Sequence, residues 1–259
     1  MLNRINQLFQ DSPKNLLSIY FCAGCPTLDG TADVIRALER NGVSMIEIGI
    51  PFSDPMADGI VIQNAATRAL HNGMSLRLLF EQLRDIRRDV RIPLVLMGYL
   101  NPIMQFGFEA FCQKCVECGI ECLLVADAEA YHAWIAQVHI LYLLEVGLLP
   151  GVEVFLGTGG SGTGHQIDEA VGVGVYFADA GFAGFGGNEH DDTDVILRGD
   201  GFVTLFVIAE REVGNDDAID AACAHSSGAI IGSRFVTLLN EKEGDAEKAI
   251  RQLKEDLKQ

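Results

Sequence analysis

Short continuous runs of apolar residues alternate along the chain with longer stretches in which apolar positions recur every three or four residues. The short runs, bounded by turn residues, read as buried strands, and the 3.6-residue recurrence reads as amphipathic helix. Strands are predicted at residues 17–22, 43–50, 92–97, 122–126, 152–156, 173–177, 202–208 and 228–231. Helices are predicted at 31–40, 65–70, 75–89, 108–118, 128–146, 216–224 and 233–258. Strand and helix thus alternate throughout, with strands about 30 residues apart, the size of one βα unit.

Strands that are apolar on both faces belong to a parallel sheet covered by helices. Eight such units in 259 residues fit one closed (βα)8 TIM barrel, a single α/β domain over residues 1–259. A doubly wound open sheet is the other arrangement that the alternation allows.

Composition excludes several classes. Hydrophobic residues make up 49% of the chain and mean hydropathy is +0.21, which rules out a disordered chain. No apolar run approaches the ~18–20 residues of a membrane span. The first ten residues carry Arg4 among Asn and Gln and lack the apolar core of a secretory signal. A net charge of −17 argues against nucleic acid, whose phosphates are bound by clustered Lys and Arg. The expectation is a soluble, cytoplasmic protein. The charge is uneven, because residues 121–215 hold 15 Asp and Glu against Arg198 and Arg211 alone. The strand–helix alternation continues through this stretch, so its composition is not read as a domain boundary.

Seven Cys with no secretory segment predict reduced thiols. Cys112, Cys115, Cys118 and Cys122 have the C-x2-C-x2-C-x3-C spacing of one iron–sulfur ligand run. A packing role is favoured, because Phe108, Phe111, Cys112, Cys115 and Cys118 form one stripe of a helix that Gly119 ends. A continuous helix does not aim four sulfurs at one point. Cys22-x-x-Cys25 follows a strand, but Pro26 and the lack of a following helix weaken a redox role. Residues 157–162, Gly-Thr-Gly-Gly-Ser-Gly, fit G-x-G-x-x-G but lack the surrounding dinucleotide-binding unit, so they read as a flexible loop.

The strand 43–50, Val-Ser-Met-Ile-Glu-Ile-Gly-Ile, carries a carboxylate where a buried strand has little use for one. Alternation puts Ile46, Ile48 and Ile50 on the helix-facing side, and Met45, Glu47 and Gly49 on the barrel interior. An ionised group there is costly unless it is paired or used. Its place near the C-terminal end of a strand, where barrel sites are built, favours use over a structural ion pair. The stiff loop that follows, Pro51 to Gly59, adds Asp54 and Asp58. Asp58 and Glu47 form a pair of carboxylates in different surroundings, the arrangement that divides acid and base roles.

The run E-I-G-I-P-F-S-D-P-M-A-D-G, residues 47–59, follows Y-F-C-A-G-C-P-T and precedes V-I-Q-N-A-A-T-R-A-L. With L-M-G-Y-L-N-P-I-M-Q-F-G at 96–107 and G-A-I-I-G-S at 228–233, it resembles the tryptophan synthase α chain family over residues 15–127 and 216–240. The resemblance implies a lyase that cleaves indole-3-glycerol phosphate to indole and glyceraldehyde 3-phosphate, without metal or organic cofactor. It implies Glu47 as general acid and base, and Asp58 as the acceptor for the indole N–H. Tyr20 and Tyr99 match positions near the indole, and Gly181, Gly184, Gly232 and Ser233 match the phosphate turns. The loops at Asp54 and Asn101-Pro102 match the surface that meets the tryptophan synthase β chain. Residues 128–214 depart from the family's pattern. Ala183 stands where a Thr is usual, and Glu210, Arg211 and Glu212 fall where a glycine turn would contact phosphate. Those carboxylates leave open a barrel that only binds a partner. A sugar-phosphate isomerase on the same fold is disfavoured by the length of the 47–59 match.

Overall fold

A computed structural model describes residues 4–12, 14–56, 58–125, 153–156, 193–195, 206–209 and 227–257. Predictions at 128–146, 173–177 and 216–224, and for the 157–162 loop, Gly181, Gly184 and Glu210 to Glu212, lie outside the described residues.

The strands are β1 (Leu16–Cys22), β2 (Met45–Gly49), β3 (Leu94–Gly98), β4 (Cys122–Val125), β5 (Glu153–Leu156), β6 (Thr193–Val195), β7 (Phe206–Ala209) and β8 (Gly228–Ile231). The helices are α1 (Arg4–Asp11), α2 (Thr31–Arg40), α3 (Ile60–His71), α4 (Leu76–Leu83), α5 (Leu100–Phe106), α6 (Phe108–Cys118), α7 (Ser233–Glu241) and α8 (Ala246–Asp256), with a 3-10 turn at Ile86–Arg88. The strand order β5-β4-β3-β2-β1-β8-β7-β6 is the cyclic order of a (βα)8 barrel, with β8 pairing back onto β1. From β5 through β1 to β7 every pairing is parallel.

The pairing of β6 with β7 is antiparallel and departs from the all-parallel expectation. Ten residues separate Val195 from Phe206, whereas a parallel crossover needs about a dozen or more. A connection this short returns the chain antiparallel.

The strands are apolar because both faces are covered. In β1, β2, β3 and β4 nearly every residue is buried, with Leu17 alone half-exposed. Helices lay their apolar stripes on the outer face: α2 buries Val34, Ile35 and Leu38, and α8 buries Ile250 and Leu253. The predicted α6 is found at its predicted limits. Phe108, Phe111, Cys112, Cys115 and Cys118 are buried along one side, and Gly119 ends the helix at φ 67°. Phe111 packs edge-on against Phe80 of α4 at 5.4 Å between ring centroids. These thiols are core packing. Burial pushes Cys112 up to about 12 and Cys118 to about 11, away from the thiolate form that metal or redox chemistry uses.

Several boundaries move. The helix expected at 65–70 starts at Ile60, and that expected at 75–89 ends at Leu83 before the 3-10 turn. The helix expected at 233–258 is split into α7 and α8 by a turn with positive φ at Glu243 and Gly244. Among the described residues no helix is long and apolar enough to cross a membrane.

The N-terminal ends of the strands are tied by charge. Glu121, just before β4, is 3% exposed and receives Arg87 Nη2 at 2.5 Å and the Leu94 amide at 2.9 Å. It also pairs with Arg4, which fixes α1 to this end. The opposite ends of the strands are left for the site.

Candidate active site

The site starts from the register of two neighbouring strands. Tyr20 of β1 stands beside Glu47 of β2, and Cys22 beside Gly49, so Ser18, Tyr20 and Cys22 share the interior face with Met45, Glu47 and Gly49. Glu47 is 1% exposed. Its Oε1 accepts a hydrogen bond from the Ser18 hydroxyl at 2.9 Å, across the diagonal between the strands. Burial pushes the Glu47 carboxyl up to about 7, and the Ser18 hydrogen bond works in the other direction.

Gly49 makes room for Tyr20. A Cβ at Gly49 would lie 2.1 Å from the Tyr20 hydroxyl oxygen, so a side chain there would evict the phenol from the interior. The same ring passes Gly232, whose added Cβ would sit 3.5 Å from Tyr20 Cβ and Cδ1. Tyr20 therefore bridges the end of β2 and the turn after β8. Burial first, then the neighbouring Cys22, Asp58, Tyr99 and Glu47, holds its phenol well above the usual range and neutral.

Asp58 reaches the same rim from the loop between β2 and α3. Its Oδ2 accepts from the Tyr99 hydroxyl at 3.0 Å, and Tyr99 follows β3 directly. Burial pushes Asp58 up to about 6, against the lowering effect of that hydrogen bond. The loop is held from α3, where Gln63 Nε2 donates to the Asp58 carbonyl at 2.7 Å. Phe52 lies against Tyr99 at 5.2 Å between ring centroids, giving the rim an aromatic wall.

Gly232 and Ser233 open α7 after β8, where free backbone N–H groups and the helix dipole favour an anion. Tyr20, Glu47, Asp58, Tyr99, Gly232 and Ser233 thus converge at the C-terminal ends of β1, β2, β3 and β8. Asp54 stands apart, exposed on the outer edge of its loop, with the Ser53 hydroxyl donating to it at 2.8 Å. Asn101 and Pro102 are expected in a loop but lie in the first turn of α5. Pro is tolerated there because a first-turn amide has no intrahelical partner.

Sequence reasoning passed over Ser18 and Gln63. The signal for Ser18 is a small hydroxyl within the apolar run Leu-Leu-Ser-Ile-Tyr-Phe-Cys, in phase with Tyr20. Gln63 lies in the first turn of a helix read as starting later, and carries no signal of its own.

The sequence profile described as "Tryptophan synthase alpha chain" matches residues 6–139. The chain is 50% identical to a tryptophan synthase alpha chain of Bacteroides thetaiotaomicron, an alignment that covers 99% of this chain and 100% of the relative. It is 52% identical to one from Bacteroides fragilis, over 98% of this chain and 96% of that one. Among solved structures, tryptophan synthase subunit alpha from Legionella pneumophila superposes with a TM-score of 0.66 at 22% identity, covering 96% of this chain and 94% of the other. A Mycobacterium tuberculosis tryptophan synthase chain superposes at 0.67 and 20% identity, covering 99% and 97%.

Proposed function

The chain belongs to the tryptophan synthase alpha chain family, and on that premise we propose that Glu47 and Asp58 divide the proton work of cleaving indole-3-glycerol phosphate. The products are indole and glyceraldehyde 3-phosphate, and the bond broken joins the indole ring carbon to the glycerol chain. Protonated Glu47 gives its proton to that ring carbon, and Asp58, as carboxylate, accepts the indole N–H and offsets the positive charge that develops on the ring. The Glu47 carboxylate then takes the proton of the adjacent glycerol hydroxyl as the carbon–carbon bond breaks. That hydroxyl becomes the aldehyde, and Glu47 ends as it began.

The observation that carries this reading is the pair of carboxyls on one rim with different surroundings. Glu47, the more deeply buried, is raised to about 7 and Asp58, whose carboxylate the Tyr99 hydroxyl bonds, to about 6, so Glu47 is held nearer the protonated form and Asp58 nearer the carboxylate. Tyr20, Tyr99 and Phe52 supply the flat apolar surface that an indole ring needs. The phosphate is assigned to the α7 N-terminus at Gly232 and Ser233, and Gly181 and Gly184, which match the family's phosphate turn in sequence, are proposed as further backbone donors. A single barrel domain over 1–259 is the arrangement that serves this chemistry. Reduced, buried Cys22, Cys25, Cys112, Cys115, Cys118 and Cys122 support a cytoplasmic location.

The partner in this reading is the tryptophan synthase β chain, which meets the rim carrying Asp54 and Asn101-Pro102. Met56, Ile60 and Met104 flank those positions and are 90%, 68% and 47% exposed, apolar area that a partner would cover. A barrel that only binds a partner is not favoured, because it has no use for a buried carboxyl raised towards neutrality. The test is indole release from indole-3-glycerol phosphate by the full chain and by Glu47→Gln, with and without a β chain. The variant should stay folded and lose about 10²–10⁴-fold in kcat. Undiminished turnover would remove Glu47 from the mechanism.

A further inference from the structure

We propose that Ser18 is a positioning residue for Glu47: its hydroxyl anchors one carboxyl oxygen so that the other is presented to the substrate. The inference rests on the reading of Glu47 as the group that moves protons, and extends it to a residue that touches no substrate.

Ser18 is fully buried at the middle of β1, an otherwise apolar strand. A buried hydroxyl is costly unless bonded, and this one donates to Glu47 Oε1 at 2.9 Å. The geometry is set by the sheet. Ser18 pairs with Met45 and Tyr20 with Glu47, so a short side chain two residues before Tyr20 reaches the Glu47 carboxyl from the N-terminal side. Among the described residues Ser18 is the hydrogen-bond partner of that carboxyl. That bond engages Oε1, and the carboxyl sits on the interior face beside Tyr20.

A carboxyl that both gives and takes a proton must return to the same place between the two steps. Its torsion next to a planar carboxyl is soft, with broad minima. A hydroxyl suits the anchor because it rotates: it donates to the carboxylate and stays a neutral neighbour when Glu47 is protonated. A cation in the same place would hold Glu47 ionised and remove its acid function.

The titratable groups that face Glu47 are few among the described residues. From β1 these are Tyr20 and Cys22, both held neutral by burial, and from the β2–α3 loop Asp58; β3 presents Val95. Ser18 is the one neighbour whose hydrogen bond favours the carboxylate. Removing it raises the proton affinity of Glu47. Since the reaction starts from protonated Glu47, the descending alkaline limb of activity then moves to higher pH.

The experiment compares the full chain with Ser18→Ala, Ser18→Thr and Glu47→Gln, measuring indole release across pH with melting curves alongside. Ser18→Ala removes one atom and adds none, so it introduces no clash. It should lose about tenfold in kcat with KM little changed, and its alkaline limb should move up by about one pH unit. Ser18→Thr keeps the hydroxyl and should restore the limb. An inactive Glu47→Gln beside a Ser18→Ala whose kcat and limb match the parent overturns the role of Ser18 alone. A fully active Glu47→Gln overturns both readings.

Discussion

A carboxyl with 1% exposure burdens the fold whenever it is ionised, and Glu47 is such a group. Burial raises it from an ordinary value of 4.5 to about 7. The folded state therefore holds the proton more tightly than the unfolded chain. The stability linked to that proton is fully present below the unfolded value and is lost as pH rises through 7. At pH 8 the penalty is on the order of 3 kcal/mol. Glu47→Gln is neutral at every pH and keeps the Ser18 hydroxyl in contact. It should melt higher than the parent at pH 8, with the gap closing towards pH 5, as followed by calorimetry without substrate. A parent that is at least as stable as the variant at pH 8 would contradict the burial account. The placement of this residue was legible in the sequence, because alternation puts Glu47 on the interior face between Met45 and Gly49. Its partners were not. The bonds from Ser18 to Glu47 and from Tyr99 to Asp58 join residues 29 and 41 apart in sequence, and arise from strand register and loop path.

Elements in this barrel are tied by charge at one end and carry the candidate site at the other. At the N-terminal end Glu121 joins β4 to the Leu94 amide of β3, to Arg87 and to Arg4 of α1. Arg87 also donates to the carbonyls of Gly119 at 2.6 Å and Ile92 at 2.7 Å, so it is satisfied only while the β3–β4 end stays closed. Removing one partner of a buried pair leaves the other charge uncompensated. Glu121→Gln should cost about 3 kcal/mol in urea unfolding. Arg4→Ala should cost less than about 1 kcal/mol, because Arg4 is nearly half exposed. Equal costs would mean that α1, rather than the inner pair, holds this end. Legibility differed between elements for physical reasons. α6 announced itself by its apolar stripe and its terminating Gly119, and α2 by a stripe ended at Asn41-Gly42. α5 was hidden because Pro102 reads as a loop signal, although the first turn of a helix accepts it. The first turn of α3 was hidden because Gly59 offers no capping side chain. α1 is two turns long, with Ile5 buried and Arg4 tied to Glu121, so tertiary contacts more than propensity account for it.

For the whole molecule, the net charge of −17 and the exposed apolar rim act in opposite directions on association. The charge repels other acidic bodies at long range and is screened by salt. Close contact is decided by what the rim buries. Met56, Ile60 and Met104 stand beside Asp54, Asn101 and Pro102 at the C-terminal side of the sheet, so a partner seated there would also close over the mouth of the site. A β chain seated there would have a route to influence the loop that carries Asp58, since Met56 and Asp58 belong to one short segment pinned by Gln63. Met56→Asp places a carboxylate at the centre of this surface and should weaken β-chain binding at least about tenfold, roughly 1.4 kcal/mol. Arg88→Ala is the control. It changes net charge by the same amount, but on the turn preceding β3, at the opposite end of the strands. Titration calorimetry with both variants separates local contact from general repulsion. A loss confined to Met56→Asp supports a β-chain seat on this rim. Equal losses that vanish in high salt would assign the effect to the overall charge and take the seat away from it.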